Sequence, residues 1–150
     1  GMPYAFASHF APRYMHEAIR VYRNHFKPST TLDKPYVMLG IPMVVAETDE
    51  KAGYLATSVY QRILALIRGQ SLMQKPPVES MDGLWLAHER DAVGSFLGLA
   101  MIGSPQKVRA KVEVLLEQTG ADELIFTCDL YEHADRVRSY ELLAQALKTE

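Results

Sequence analysis

"GSPQKVRAKVEVLLEQTGADELIFTC", residues 103–128, decides how this chain folds. Ser104 stands at a helix N-cap position, and Pro105 takes the first helical position, where a missing N–H costs nothing. Val108, Val112, Leu115 and Leu116 recur at helical spacing and predict one core-facing stripe. Gly120 supplies the C-terminal stop. "ELIFTC", residues 123–128, then reads as a strand. A helix feeding a strand is one step of an alternating pattern, and alternation predicts a parallel sheet with right-handed crossovers.

The pattern extends in both directions. Downstream, residues 133–147 predict a final helix with Val137, Tyr140, Leu143, Ala144 and Leu147 on one side. Upstream, "YVMLGIPMVVA", residues 36–46, is the most continuous apolar run and predicts a strand buried on both faces. Pro42 inside it has no N–H for the ladder, so a bulge or an irregular end is expected there. Thr48 or Asp49 caps the next helix, whose stripe is Ala52, Leu55, Ala56, Val59, Ile63 and Ile67, and Gly69 ends it. Residues 70–87 form an excursion punctuated by Pro76–Pro77 and Asp82–Gly83, followed by a short helix over about 88–98. At the start, "YAFAS", residues 4–8, reads as a strand. Pro12 opens a helix with the stripe Met15, Ala18, Ile19, Tyr22 and Phe26, which Pro28 closes.

Three parallel strands with helices on one face leave the other face bare, and parallel sheets need both faces covered. The simplest complete form of this pattern is an eight-stranded barrel of about 250 residues. The fold class expected is therefore α/β, with residues 1–150 forming a single domain. That domain is a partial (β/α)8 TIM barrel comprising the last three βα strands, its parallel sheet completed or covered by oligomerisation. Gly1 ahead of Met2 reads as the remnant of a removed tag, and 70–98 as an insert.

Composition narrows the function. Hydrophobic residues make up 48% and charged residues 23%, a globular balance, and the net charge of −2 offers no basic field for nucleic acid or an anionic membrane. One cysteine, Cys128, permits no internal disulfide and points to a reducing, cytoplasmic setting. There is no G-x-G-x-x-G, P-loop lysine motif, G-x-S-x-G or His-Glu-x-x-His. "MHEA" at 15–18 lacks the second histidine, so no metal is expected.

Three segments in order carry a resemblance: "PYAFASHFAP" at 3–12, "PYVMLGIPMVVAETDEKA" at 35–52, and "GSPQKVRAKVEVLLEQTGADELIFTCDLYEHADRVRSYELLA" at 103–144. Together they resemble the C-terminal part of the luciferase-like flavin monooxygenases, the bacterial-luciferase superfamily of (β/α)8 barrels. The resemblance implies that the strands correspond to barrel strands six, seven and eight. The first five, which carry much of the flavin pocket and the phosphate grip, lie outside the chain. It implies a fragment of an oxidoreductase that uses reduced FMN, supplied by a reductase, and molecular oxygen. Such a fragment is not expected to be catalytically competent or to bind flavin tightly alone. The alternative is a non-catalytic, self-associating α/β remnant or interaction domain. A flavodoxin-like ligand module needs about five strands, more than the pattern supplies.

The same resemblance nominates site residues. Ser8 falls beside the flavin ring as a cofactor-binding residue, and His9 follows it as a catalytic polar group near the reacting oxygen. A capping or solvated role is the other reading for His9. Barrel chemistry sits at the C-terminal ends of strands, which makes Cys128 and Tyr131 candidates to line a substrate pocket. A buried, inert thiol and a packing tyrosine are the alternatives. Trp85, with Met73 and Met81, either lids a substrate or seals the sheet. The helix N-terminus at "GSPQ" is expected to lie opposite the active face and to serve capping alone. The partners expected are a second copy, as a dimer or higher homo-oligomer, or a separate chain that supplies the remaining strands. Neither nucleic acid nor membrane is expected.

Overall fold

Residues 1–8 and 12–148 are described in a computed structural model. In chain order the elements are β1 (Tyr4–Ala7), a 3-10 turn (Pro12–Tyr14) running into α1 (Met15–His25), β2 (Val37–Val45), α2 (Asp49–Ile67), α3 (Ala87–Phe96), β3 (Met101–Gly103), α4 (Pro105–Thr119), β4 (Glu123–Thr127) and α5 (His133–Leu147). The four strands form one sheet, and every pairing is parallel. The alternating pattern is thus as expected, with one strand added. β3 has three residues, too few to show a period in the sequence.

β2 is the centre of the sheet, and its two edges are used differently. Even-numbered backbone groups face one edge: the Tyr4 and Ser8 N–H groups donate to the Tyr36 and Gly40 carbonyls, and the Ala46 N–H donates to the Gly103 carbonyl. β1 therefore occupies this edge up to Gly40, and β3 takes it over from Met43 onward. Pro42 falls in the gap between them, where no ladder donor is needed. The strand runs through Pro42, which pairs in register with Thr127. The bulge expected there does not form. Odd-numbered groups face β4, which pairs with β2 from Met38 to Pro42 and then diverges.

Two consecutive hydroxyls of α5 fill that split. Ser139 Oγ accepts from the Val45 N–H at 3.1 Å and donates to the Val45 carbonyl at 2.6 Å. Tyr140 Oη accepts from the Cys128 N–H at 3.1 Å and donates to the Phe126 carbonyl at 3.3 Å. Strand ends freed from each other are thus satisfied by side chains, as buried backbone requires.

The odd residues of β2, from Val37 to Val45, face a core built with Met15 and Ile19 of α1, Val108, Val112 and Leu115 of α4, and Leu142 and Leu143 of α5. This is the stripe predicted for α4, except that Leu116 is exposed. In α5 the buried face is Ser139, Leu142 and Leu143, and Val137 and Tyr140 point outward. Arg23 of α1 donates to the Thr119 and Gly120 carbonyls at 2.6 Å each, capping the C-terminal end of α4 with a cation where the helix dipole favours one.

The opposite face is covered only toward the strand C-termini. There Val44, Ala46 and Leu130 pack against Ala52, Leu55 and Ala56 of α2. Away from that end, Ala5, Ala7, Met38, Gly40 and Ile125 are exposed or half-buried. Among the described residues, nothing therefore covers this face of the sheet over about half its length.

Candidate functional site

The C-terminal ends of β2, β3 and β4 open into a cavity of about 430 Å³. Its floor is Pro42, Val44, Ile102 and Thr127, and its roof is Val59, Ile63 and Leu66 of α2 with Phe96 and Leu97 at the end of α3. Apolar walls at the carboxyl ends of parallel strands are where α/β folds place ligands. Among the described residues, Arg62 and Asp129 are the only charged ones on the wall, and they form an ion pair with each other.

The roof is held by polar contacts from the excursion. Thr57 Oγ1 accepts from the Val78 N–H at 2.8 Å. Ser58, fully buried, donates to the Lys75 carbonyl at 2.5 Å. Gln74 Nε2 donates to Ser58 Oγ at 2.9 Å and to the Asp129 carbonyl at 2.8 Å, tying the excursion to the end of β4. α3 is joined to α2 by Arg68, which makes two bonds of 2.7 Å to the Glu89 carboxylate. The same carboxylate accepts the Leu86 N–H at 2.7 Å, at the N-terminus of α3. The Arg68 guanidinium, then the Leu86 N–H, hold the Glu89 carboxyl down at about 2.

Of the nominated residues that are described, only Cys128 reaches this cavity. It is half-buried, packs against the cores on both sides of the sheet, and burial pushes its thiol pKa up. A thiol so placed is a neutral wall group rather than a nucleophile. Ser8 is 1% exposed, and its hydroxyl donates to the Gly40 carbonyl at 2.5 Å. Tyr131 is exposed and off the cavity wall. Trp85 stacks on Tyr60 at 6.0 Å within a third cluster formed by Leu64, Met81 and Val93. Met81 is buried there, and Met73 is 75% exposed. His9 lies outside the described residues. Among the described residues no group of His, Cys, Asp and Glu has the arrangement of a metal site, and no helix is long and apolar enough to cross a membrane.

One expectation is reversed. β3 runs parallel to β2 and pairs with its last residues, so α4 starts at the same end of the strands as the cavity, not opposite it. Its N-terminus is already occupied. The Asp49 carboxylate accepts the Ser104 N–H at 2.7 Å and the Lys107 ammonium at 3.1 Å, and the Ser104 hydroxyl makes no capping bond. The Ser104 N–H and then Lys107 hold the Asp49 carboxyl below its usual range.

The roof residues escaped sequence reading as site residues. Val59 and Ile63 read there only as a core stripe, and Arg62 had no visible partner. The available signal was position: they sit on the helix that follows the longest strand, above its C-terminal end.

Comparison with known proteins places this geometry. No family model matches the sequence. The chain is 46% identical over 148 residues to the uncharacterized protein YvbT of Bacillus subtilis, spanning 99% of this chain and 44% of that protein. It is 38% identical over 142 residues to a luciferase-like monooxygenase of Escherichia coli K12, spanning 95% of this chain and 42% of that protein. The chain thus spans less than half the length of these relatives. Among solved structures, apo-MsnO8 superposes with a TM-score of 0.76 at 26% identity, covering 97% of this chain and 45% of that one. The oxygenating constituent of the 3,6-diketocamphane monooxygenase of Pseudomonas putida, a type II Baeyer-Villiger monooxygenase solved in complex with FMN, superposes with a TM-score of 0.53 at 16% identity. It covers 97% of this chain and 41% of that one, a likeness of fold alone.

Proposed function

Taking as premise that the chain belongs to the luciferase-like monooxygenase family over nearly its whole length, we propose that it forms one part of a flavin-dependent monooxygenase. In that reading the apolar cavity at the strand C-termini belongs to the substrate end of the site. The observation that carries the reading is that cavity's position, in a chain with 38% identity to a luciferase-like monooxygenase.

Reduced flavin with O2 would supply the oxidant, one oxygen atom going to the substrate and the other to water. The described residues fit half of an FMN site. Ala5, Ala7 and Gly40 make a flat, uncharged stretch of sheet against which a planar ring can lie. At this end of the sheet Arg62, Lys107 and Arg138 are paired with Asp129, Asp49 and Glu47, whereas Lys51 and Arg136, in the first turns of α2 and α5, form no ion pair among the described residues. The chain's own contribution is to exclude water with the α2–α3 roof and to orient an apolar substrate over the strand ends. Arg62 offers a hydrogen-bond donor at the mouth.

Fluorescence titration with FMN tests this. The chain alone should show no saturable quenching. The chain co-expressed with a polypeptide matching the remaining part of its Bacillus relative should show saturable binding. A folded assembly of the two that leaves FMN fluorescence unchanged would overturn the reading.

A further inference from the structure

We propose that Asp129 is a specificity-determining residue of the cavity at the strand C-termini. By neutralising Arg62 at the mouth, it makes the cavity admit uncharged apolar molecules and reject carboxylates of the same length. The inference deepens the reading of this cavity as the substrate end of a site, and rests on it.

Residue 129 is held from two sides. Ser58 and Arg62 stand four residues apart on α2 and so share one face of the helix. Ser58, fully buried, accepts from Gln74 Nε2 at 2.9 Å, and the same nitrogen donates to the Asp129 carbonyl at 2.8 Å. One helical turn further on, Arg62 takes the Asp129 carboxylate through Nη1. The backbone of Asp129 is thus tied to α2 through Gln74, and its side chain directly. Two free surface side chains would have to be ordered before they could pair, which is why most exposed ion pairs do little. Here the backbone under the carboxylate is already fixed.

What the pair does follows from its surroundings. Among the described residues no other charged side chain lies on the cavity wall. From the start of α5, Asp135 and Arg136 act on the neighbouring Cys128 thiol in opposite senses and offset each other. Without Asp129, Arg62 would be a lone cation at the mouth of an apolar chamber. That arrangement suits a carboxylate on a hydrocarbon tail. With Asp129 in place the mouth is neutral. An incoming carboxylate must then shed its water beside a second carboxylate, and an ammonium must shed its water beside the guanidinium. An uncharged oxygen is cheaper to desolvate. The guanidinium has five N–H donors, and those not taken by Asp129 remain for that oxygen.

The full chain is to be titrated at neutral pH with octanol, octanoate and octylamine, each followed by displacement of the uncharged fluorescent probe Nile red. Octanol should displace the probe at the lowest concentration. Asp129→Asn keeps the shape of an exposed side chain and should improve octanoate relative to octanol by about tenfold, the effect of a charge-assisted hydrogen bond discounted for partial exposure. Arg62→Gln should leave octanoate poor and improve octylamine relative to octanol. Opposite shifts from the two halves of one ion pair are not what a loosened fold, or probe bound elsewhere on the chain, would give. The proposal is overturned if octanoate matches octanol on the wild-type chain, if none of the three displaces the probe, or if neither substitution moves the ratios. FMN is not read in this experiment. The expected ratios in a chain whose assembly fails to bind FMN would defeat the functional reading and leave the role of Asp129 standing. FMN binding with ratios that Asp129→Asn leaves unchanged would do the reverse.

Discussion

Ser139→Ala removes the bracket that holds α5 to the end of β2. Ser139 is fully buried, and its hydroxyl satisfies both backbone groups of Val45, itself 1% exposed. Alanine keeps the helix and nearly the same volume, so the change isolates the hydrogen bonds. A buried backbone group left without a partner costs about 1–3 kcal/mol. Two such groups, partly relieved by local relaxation, give a loss of about 2–4 kcal/mol. For a chain of this size each kcal/mol lowers the melting temperature by about 2–4 °C, so a fall of roughly 5–15 °C is expected. Tyr140→Phe is the comparison. Its hydroxyl makes the analogous pair of bonds to Phe126 and Cys128, but Tyr140 is 44% exposed and water can replace it. That variant should lose less than about 1 kcal/mol. Urea unfolding of wild type and both variants at one protein concentration measures the differences directly, with an unchanged slope confirming that the same surface unfolds. If Ser139→Ala costs under about 0.5 kcal/mol, or if Tyr140→Phe costs more, the account of how the split between β2 and β4 is closed is wrong.

Three further outcomes follow. Gly103 has φ +150, and a Cβ there would lie 2.7 Å from Lys107 Cδ and 2.9 Å from Asp49 Oδ1. Gly103→Ala should therefore cost about 1–3 kcal/mol in the same unfolding assay, and a neutral result would show that the Asp49–Lys107 pair yields freely. Glu89 has a folded pKa of about 2 against an ordinary 4.5. Its contribution is complete above pH 4.5 and is lost as pH falls from there toward 2. The stability gap between wild type and Glu89→Gln should stay constant above pH 4.5 and close below it, and a gap that persists to pH 2 would remove the ion pair from the explanation. Burial raises the Cys128 thiol pKa, so a thiol reagent at pH 8 should label it more slowly than a free cysteine and reach the free rate only in denaturant. Labelling of the native chain at the free rate would place Cys128 in solvent instead.

How much of this was legible in the sequence depends on the length and environment of each part. β2, α2, α4 and α5 were readable because long periodic runs with caps dominate their surroundings. β3 was not, since three residues carry no period. The face of α5 was misread because Val137 and Tyr140 are apolar by type, whereas Ser139 is what packs inward. The burial of that serine follows from the divergence of β2 from β4, a tertiary fact that no local pattern encodes. Pro42 shows the converse. It looked disruptive, and it sits harmlessly where β1 has ended and β3 has not begun. At the site, Cys128 was found by counting to the end of a strand. Arg62 was not found, because its position over the strand ends depends on the crossing of α2 over the sheet. The placement of "GSPQ" on the far side failed because a helix that precedes a parallel strand starts at the C-terminal end of the sheet.

The central claim is that this sheet is one part of a larger barrel wall, with a face and two edges left for other strands. Sedimentation velocity of the purified chain over a range of concentrations tests it most directly. Bare edges and an apolar face predict association that grows with concentration, with mass well above the 16.9 kDa of one chain. A single ideal species of 16.9 kDa, soluble and unchanged across the range, would contradict it.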